Sequence, residues 1–233
     1  MEKRGVITID GPAGAGKSTV ARLLARSLGY LYLDSGSLYR AVAWQAHHLG
    51  VDLEDSQALV AFLHGFQPAV SADGDGFHLV IDGHKVGEEL RQPWVSRAAS
   101  SAAQLPEVRH WVKERLRQLA QNGGVVTEGR DQGTVVFPEA QCKFYLTADL
   151  ATRARRRLRD WRKNGDPPPL EEVMQELATR DRQDETRTEA PLRVPPGAVV
   201  IDTTSLSIDE VVTACLARVH ESLDPAGRGK YTK

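Results

Sequence analysis

Gly11-Pro12-Ala13-Gly14-Ala15-Gly16-Lys17-Ser18 is the stretch whose reading decides the fold. It fills the pattern G-x-x-x-x-G-K-[ST]. The preceding Gly5-Val6-Ile7-Thr8-Ile9-Asp10 reads as a short buried strand. The following Thr19 to Leu28 carries apolar residues at helical spacing and is closed by Gly29 as a C-cap. Strand, glycine-rich turn and helix together make a phosphate-binding loop. Glycines let the backbone curl so that several N–H groups face an anion, and the positive end of the helix adds to that field. Lys17 would put a point charge on the β- and γ-phosphates, and the Ser18 hydroxyl would sit on Mg²⁺. The competing reading is a strand-to-helix turn with an incidental lysine; the agreement of strand, spacing and helix favours the phosphate loop. The candidate ATP-binding residues are Gly11, Pro12, Ala13, Gly14, Ala15, Gly16, Lys17, Ser18 and Thr19. The loop alone says only that a nucleoside triphosphate binds.

The chain has 233 residues, enough for one large α/β domain with an inserted subdomain. Net charge is −1, from 30 basic and 31 acidic residues, which argues against a general polyanion-binding surface. Cys142 and Cys215 form no C-x-x-C pair, pointing away from a disulfide framework or zinc site and towards a reducing compartment. No apolar run is long enough to span a membrane, and no signal-peptide core precedes Asp10. These features lead us to expect a cytoplasmic enzyme without membrane attachment.

Leu31-Tyr32-Leu33-Asp34 reads as a second strand, followed by a helix that Ser35 or Asp34 caps. Asp52 to His64 reads as a helix burying Leu59, Val60, Phe62 and Leu63. The texture then changes. Pro68–Ala72 and Phe77–Ile81 are strand candidates around a turn at Asp73-Gly74-Asp75-Gly76, and Asp82-Gly83 leads into Lys85-Val86. This antiparallel meander marks an insert over about 67–104, with Pro93 starting a helix. Pro106 breaks that helix and another follows over 107–121. Val125–Glu128, Cys142–Leu146 and Ala198–Asp202 return to core strands. Helices are expected over 150–163, 170–182 and 208–223, with a break at Asn164–Pro169 and a polar tail over 224–233. Strands alternating with helices imply a parallel sheet covered on both faces.

Four further stretches carry chemistry. Leu33-Asp34-Ser35-Gly36-Ser37-Leu38-Tyr39-Arg40 is either an anion site at a helix start or an ordinary capped helix. Glu128-Gly129-Arg130-Asp131-Gln132-Gly133 follows a core strand, where a metal-associated carboxylate and substrate-facing groups belong; a salt-bridged loop is the alternative. Thr152 to Arg162 puts Arg153, Arg156 and Arg157 on one helical face. That face reads as a stabiliser of transferring phosphoryl charge, a solvated surface, or a nucleic-acid contact. Arg180, Asp184 and Arg187 share a face if their helix extends that far; a plain ion-pair network is the alternative.

Taken together, these stretches resemble the bacterial cytidylate kinases, a branch of the nucleoside monophosphate kinases. V-I-T-I-D-G-P-x-G-A-G-K-S, L-D-S-G-x-L-Y-R, E-G-R-D-x-G-T-V-V-F-P and the R-D-x-x-D-x-x-R-x-x-A-P-L of Arg180–Leu192 carry the likeness, from Val6 to about Leu223. The resemblance implies a three-layer α/β fold with a five-stranded parallel sheet and a small inserted antiparallel meander. It implies a core (about 1–34, 105–150 and 196–223), a monophosphate-binding region (about 35–104) and a lid (about 151–195). The implied reaction is transfer of the γ-phosphoryl group of ATP to CMP or dCMP. Beside it we expect Mg²⁺ with ATP, a monomer, and, from the near-neutral net charge, no stable nucleic-acid partner. By similarity Ser35, Arg40 and Arg130 hold the CMP phosphate, while Ser100, Arg109 and Asp131 face cytosine. Arg180 and Asp184 face the ribose with Arg187 nearby, and Arg153 and Arg157 are lid arginines acting with Lys17 and Arg130 in catalysis. Ser18 and Glu128 are the implied metal contacts. The family more often has Asp at the Glu128 position, so that contact is direct or through water.

The residues support the assignment in their own right. Cytosine offers an exocyclic N–H₂ donor, which a carboxylate and a hydroxyl accept, and Arg109 suits its O2 and N3 acceptors. A nucleotide phosphate, with a second pKa of about 6, is mostly ionised at neutral pH and needs no general base. The alternatives are a kinase for another small acceptor such as UMP, AMP or shikimate, or a nucleic-acid-binding module built on the Arg155–Arg162 run. No N-K-x-D guanine-reading motif is present.

Overall fold

The computed structural model describes residues 5–73, 76–161 and 168–223. The turn expected at Asp73–Gly76, the break at Asn164–Pro169, the end of the arginine helix beyond Trp161 and the tail from Asp224 lie wholly or partly outside those residues.

β1 (Val6–Asp10) runs through the phosphate loop into α1 (Lys17–Leu28), and β2 (Leu31–Asp34) leads to α2 (Ser35–His48) and α3 (Ser56–Gly65). The insert supplies β3 (Ala69–Asp73), β4 (Gly76–Ile81) and β5 (His84–Val86), then α4 (Pro93–Ala102). After α5 (Pro106–Leu119) come β6 (Val125–Gly129), a π-turn (Gln132–Val136) and β7 (Cys142–Thr147). The helix pair α6 (Leu150–Trp161) and α7 (Leu170–Thr186) precedes β8 (Val199–Asp202) and α8 (Ile208–Leu223).

The central sheet has the order β2-β6-β1-β7-β8, with every pairing parallel. β1 sits between β6 and β7 and is covered on both faces, which is why it reads as an unbroken apolar and β-branched run. Register decides where the site forms. Asp34 lies opposite Glu128, and Asp10 lies opposite both Gly129 and Tyr145. The carboxyl ends of four strands are therefore level, and the loops leaving them converge on one edge, as in other open α/β sheets.

One apolar cluster joins Leu33, Leu38, Val42, Leu59, Val112 and Leu116 to Leu79, Ile81 and Val86 of the meander. The insert is thus packed into the core on one side of the sheet. Its strands pair antiparallel, as expected. On the other side Ile7, Ile9 and Phe144 pack with Val20 and Leu24 of α1 and with Val211, Cys215 and Val219 of α8. A small separate cluster of Ala154, Val173 and Leu177 holds α6 to α7, with Ala13 of the phosphate loop beside it.

Three local expectations are corrected. The helix expected from Asp52 begins at Ser56, because the Asp55 carboxylate caps it by accepting the Gln57 and Ala58 N–H groups at 2.9 and 3.1 Å. Val60, expected in the core, is 53% exposed; only Leu59 and Leu63 of that helix are buried. Pro106 does more than stop α4: it is the first residue of α5, where its missing N–H costs nothing.

Candidate active site

The phosphate loop owes its shape to glycine. Gly11 has φ 143°, and a Cβ there would lie 2.0 Å from the Leu146 carbonyl oxygen. Gly16, in the left-handed region, precedes α1 and offers no side-chain cap, so no side chain competes for the first-turn N–H groups. Lys17 is buried and its Nζ donates to the Pro12 carbonyl at 2.8 Å, curled back over the loop it serves. Burial, reinforced by the positive charge of Arg130, lowers the amine to about 7.

From the loop a cavity of about 200 Å³ extends towards α4 and α5. Lys17, Arg40, Arg109, Arg130, Arg157, Arg180 and Arg187 line it against Asp34, Glu128, Asp131 and Asp184. Positive charge predominates, which suits an anionic ligand. Ser18, Ser35 and Ser100 also line it.

Each side chain is placed by a specific contact. Asp34 caps α2 by accepting the Ser37 N–H at 3.0 Å, and also accepts Arg40 Nη2 at 2.9 Å. Burial works to raise this carboxyl, but Arg40 and Ser37 overrule it and hold it below the usual aspartate value. Ser35, the other capping candidate, instead donates to the Glu128 carbonyl at 2.7 Å, tying the start of α2 to the end of β6. Asp131 accepts from Arg109 Nη2 in a buried pair, and Arg109 also donates to the Ala103 carbonyl at 3.1 Å. Tyr39 lies beneath this guanidinium, 5.9 Å from its carbon. Asp184 accepts from Arg130 Nε at 2.7 Å, and Arg187 lies 3.5 Å from its other oxygen. Arg187 stands one residue beyond α7, so the i, i+4, i+7 face is completed by the helix cap rather than by helix. Arg40 Nε, Arg180 Nε and Arg187 Nη2 are buried donors with no hydrogen-bond partner among the described residues. Such donors are costly to leave unmet, and an anion in the cavity is the natural acceptor.

The arginines of α6 do not act as one face. Arg153 is buried, donating from Nε to the Ala148 carbonyl at 2.9 Å and from Nη1 to the Ala13 carbonyl at 3.1 Å and Asp181 at 2.6 Å. It is a strut joining α6 to α7 and to the phosphate loop, and does not line the cavity. Arg156 turns to Thr203, reaching its carbonyl at 2.6 Å and its hydroxyl at 2.9 Å. Arg157 alone of the three lines the cavity.

A family model described as cytidylate kinase matches residues 7–221. The chain is 43% identical to a cytidylate kinase of Caldanaerobacter subterraneus subsp. tengcongensis, over 96% of each chain. It is 44% identical to one from Geobacillus thermodenitrificans, over 96% of this chain and 100% of the other. The chain belongs to the cytidylate kinase family. It is accordingly a nucleotide-binding phosphotransferase of the phosphate-loop class. The fold is shared much more widely: an uncharacterised protein from Eubacterium ventriosum superposes with a TM-score of 0.51 at 12% identity, over 94% of this chain and 99% of the other.

Two parts of this kinase's site escape a reading of the sequence. Tyr32 donates to Glu128 Oε1 at 3.4 Å, beside the 2.6 Å bond from the Ser18 hydroxyl to the same oxygen. Asp10, which reads simply as the end of a strand, is a fully buried carboxylate. Burial raises it to about 7 in spite of two backbone N–H groups that favour its charge. Only the parallel register, which sets Asp10 level with Gly129, brings it to the loop it contacts.

Proposed function

We propose that the cavity is a two-substrate site in which the γ-phosphoryl group of ATP passes in line to a phosphate oxygen of CMP or dCMP. The observation that carries this reading is the buried Asp131–Arg109 pair at the acceptor end of a cavity whose other end is the phosphate loop. A carboxylate to accept the cytosine amino group and a guanidinium to donate to its O2 and N3 stand together, with Ser100 beside them.

ATP phosphates lie on the N–H groups of Gly11–Thr19 and on Lys17. Ser35, Arg40 and Arg130 receive the acceptor phosphate, and Arg180, Asp184 and Arg187 meet the sugar side. The unmet donors of Arg40, Arg180 and Arg187 support these roles. Arg157 closes over the transferring group, with Arg153 holding α6 and α7 to the phosphate loop. The acceptor phosphate is mostly ionised at neutral pH, its second pKa being about 6, so no side chain need remove a proton. The protein's work is alignment and stabilisation of spreading negative charge. Lid closure over residues 151–195 would exclude water that would otherwise hydrolyse ATP.

The residues present fit Mg²⁺. Ser18 and Glu128 offer a hydroxyl and a carboxylate oxygen in direct contact, 2.6 Å apart. Burial and the neighbouring Asp34 charge raise the Glu128 carboxyl, a strain that a cation relieves. Mg²⁺ keeps several waters and phosphate oxygens in its shell, so two protein oxygens suffice. Held by Ser18 and Glu128, Mg²⁺ would supply positive charge against the phosphates of ATP.

The nucleic-acid reading is disfavoured by the near-neutral net charge and by the Arg155–Arg162 run itself: Arg156 is spent on Thr203 and Arg157 lines the cavity. We read the enzyme as a monomer in the cytoplasm; the unpaired, buried Cys142 and Cys215 support the reducing compartment. Turnover with ATP and, separately, CMP, dCMP, UMP and AMP tests the function. If CMP and dCMP show no higher kcat/KM than UMP and AMP, the assignment fails.

A further inference from the structure

Asp10 closes β1 and is followed at once by Gly11 of the phosphate loop. Both of its oxygens are given to a different loop. Oδ1 accepts the Gln132 N–H at 2.8 Å and Oδ2 the Gly133 N–H at 2.7 Å. These two amides open the π-turn that follows Arg130 and Asp131 directly. The turn is closed by the Val136 N–H on the Asp131 carbonyl at 3.1 Å and the Phe137 N–H on the Gln132 carbonyl at 2.7 Å. Its far end is held from α5, where Arg117 Nε donates to the Val136 carbonyl at 3.0 Å. The approach to β1 is close enough to require glycine: a Cβ on Gly133 would lie 2.8 Å from Thr8 Oγ1 and 2.9 Å from Pro195 Cγ.

We propose that Asp10 is a positioning residue, which fixes Arg130 and Asp131 relative to the phosphate loop so that donor and acceptor phosphates meet in line. One carboxylate receives two successive backbone N–H groups from the acceptor-reading loop while its own backbone continues into the donor loop. A shift at Gln132 is therefore a shift at Asp131, its chain neighbour. Asparagine is a poor substitute, because its amide would present an N–H₂ donor to one of the two N–H groups. Charged and titratable groups facing Asp10 are Lys17 from α1, Asp131 from the turn and Tyr145 from β7. The inference rests on the reading of Arg130 and Asp131 as acceptor contacts.

The test compares Asp10→Asn with Asp131→Asn in the full chain. For Asp10→Asn we expect kcat/KM for CMP to fall by about ten-fold or more, as loss of a charge-assisted bond predicts. We expect KM for ATP to stay within about two-fold and the preference for CMP over UMP to narrow, a split that general loss of folded protein does not produce. In the unaltered protein the Gln132 and Gly133 amides should exchange with solvent as slowly as those of β1 and β6. If Asp10→Asn does not fold, Arg117→Ala releases the far end of the same turn from a half-exposed position and carries the kinetic comparison, with the same split expected. Rapid exchange of the two amides beside a protected β1 overturns the inference. So does a proportional loss for ATP and CMP with the CMP-to-UMP ratio unchanged. If Asp131→Asn also leaves that ratio unchanged, the acceptor-site reading itself has failed; if only Asp131→Asn alters it, the positioning role alone has.

Discussion

Replacing Lys17 with methionine removes the amine that burial and Arg130 hold at about 7, well below the usual lysine value of 10.5. In the free protein that lowered value leaves part of the amine neutral, a share that grows with pH. A triphosphate placed on the loop reverses the balance, since opposite charge at hydrogen-bond distance favours the ammonium. As the bound value rises back towards 10.5, binding takes up a fraction of a proton, at most one, and more at pH 8 than at pH 6. The sign is uptake, and it grows with pH, opposite to the release expected from a carboxylate drawn into a salt bridge. The assay is titration calorimetry of a non-hydrolysable ATP analogue at pH 8, in buffers of differing ionisation enthalpy. The slope of apparent enthalpy against buffer enthalpy is the proton count. Lys17→Met should lower that slope, leaving only the contribution of the neighbouring Asp10 and Glu128 carboxyls. A wild-type slope no more positive than that of Lys17→Met refutes the claim that a neutral Lys17 is charged by its substrate.

Asp131→Asn should reduce the ratio of kcat/KM for CMP over UMP by about ten-fold or more, because it removes an acceptor for the cytosine amino group and half of the Arg109 pair; an unchanged ratio removes Asp131 from base reading. Glu128→Gln should raise the Mg²⁺ concentration for half-maximal turnover by about ten-fold, measured by magnesium titration at saturating ATP and CMP. Asp34→Ala should lower unfolding free energy by about 0.5–2 kcal/mol, the usual range for a lost N-cap, read from urea melts at pH 7. Because the folded Asp34 titrates below its ordinary 3.8, its contribution is present above that value and lost on further acidification. The gap between wild type and Asp34→Ala should therefore close as pH falls below 3.8; a constant gap would assign it to something other than the charge.

Much of the chemistry in this protein is local and was therefore open to a reading of residues alone. The phosphate loop is one: glycine positions, lysine and helix start lie within eight consecutive residues, and their roles follow from backbone conformation and charge. The parallel sheet is another, because strands buried on both faces must be unbroken apolar runs alternating with helices. The acceptor residues were legible only as separate motifs linked by resemblance, since Ser35, Ser100, Arg109, Asp131 and Arg180 are dispersed along the chain.

What tertiary structure decided is partnership. Helical spacing puts Arg153, Arg156 and Arg157 on one face, but it cannot say that the first meets the Ala13 carbonyl and the second Thr203. Those acceptors are supplied by other elements, and a buried guanidinium goes where its donors are satisfied. Asp10 is the plainest case. In the chain it is the last residue of a strand, 122 positions from Gln132. Only parallel pairing of β1 with β6 sets it level with Gly129, and only then does a carboxylate with no local partner become the acceptor for the loop that carries Arg130 and Asp131.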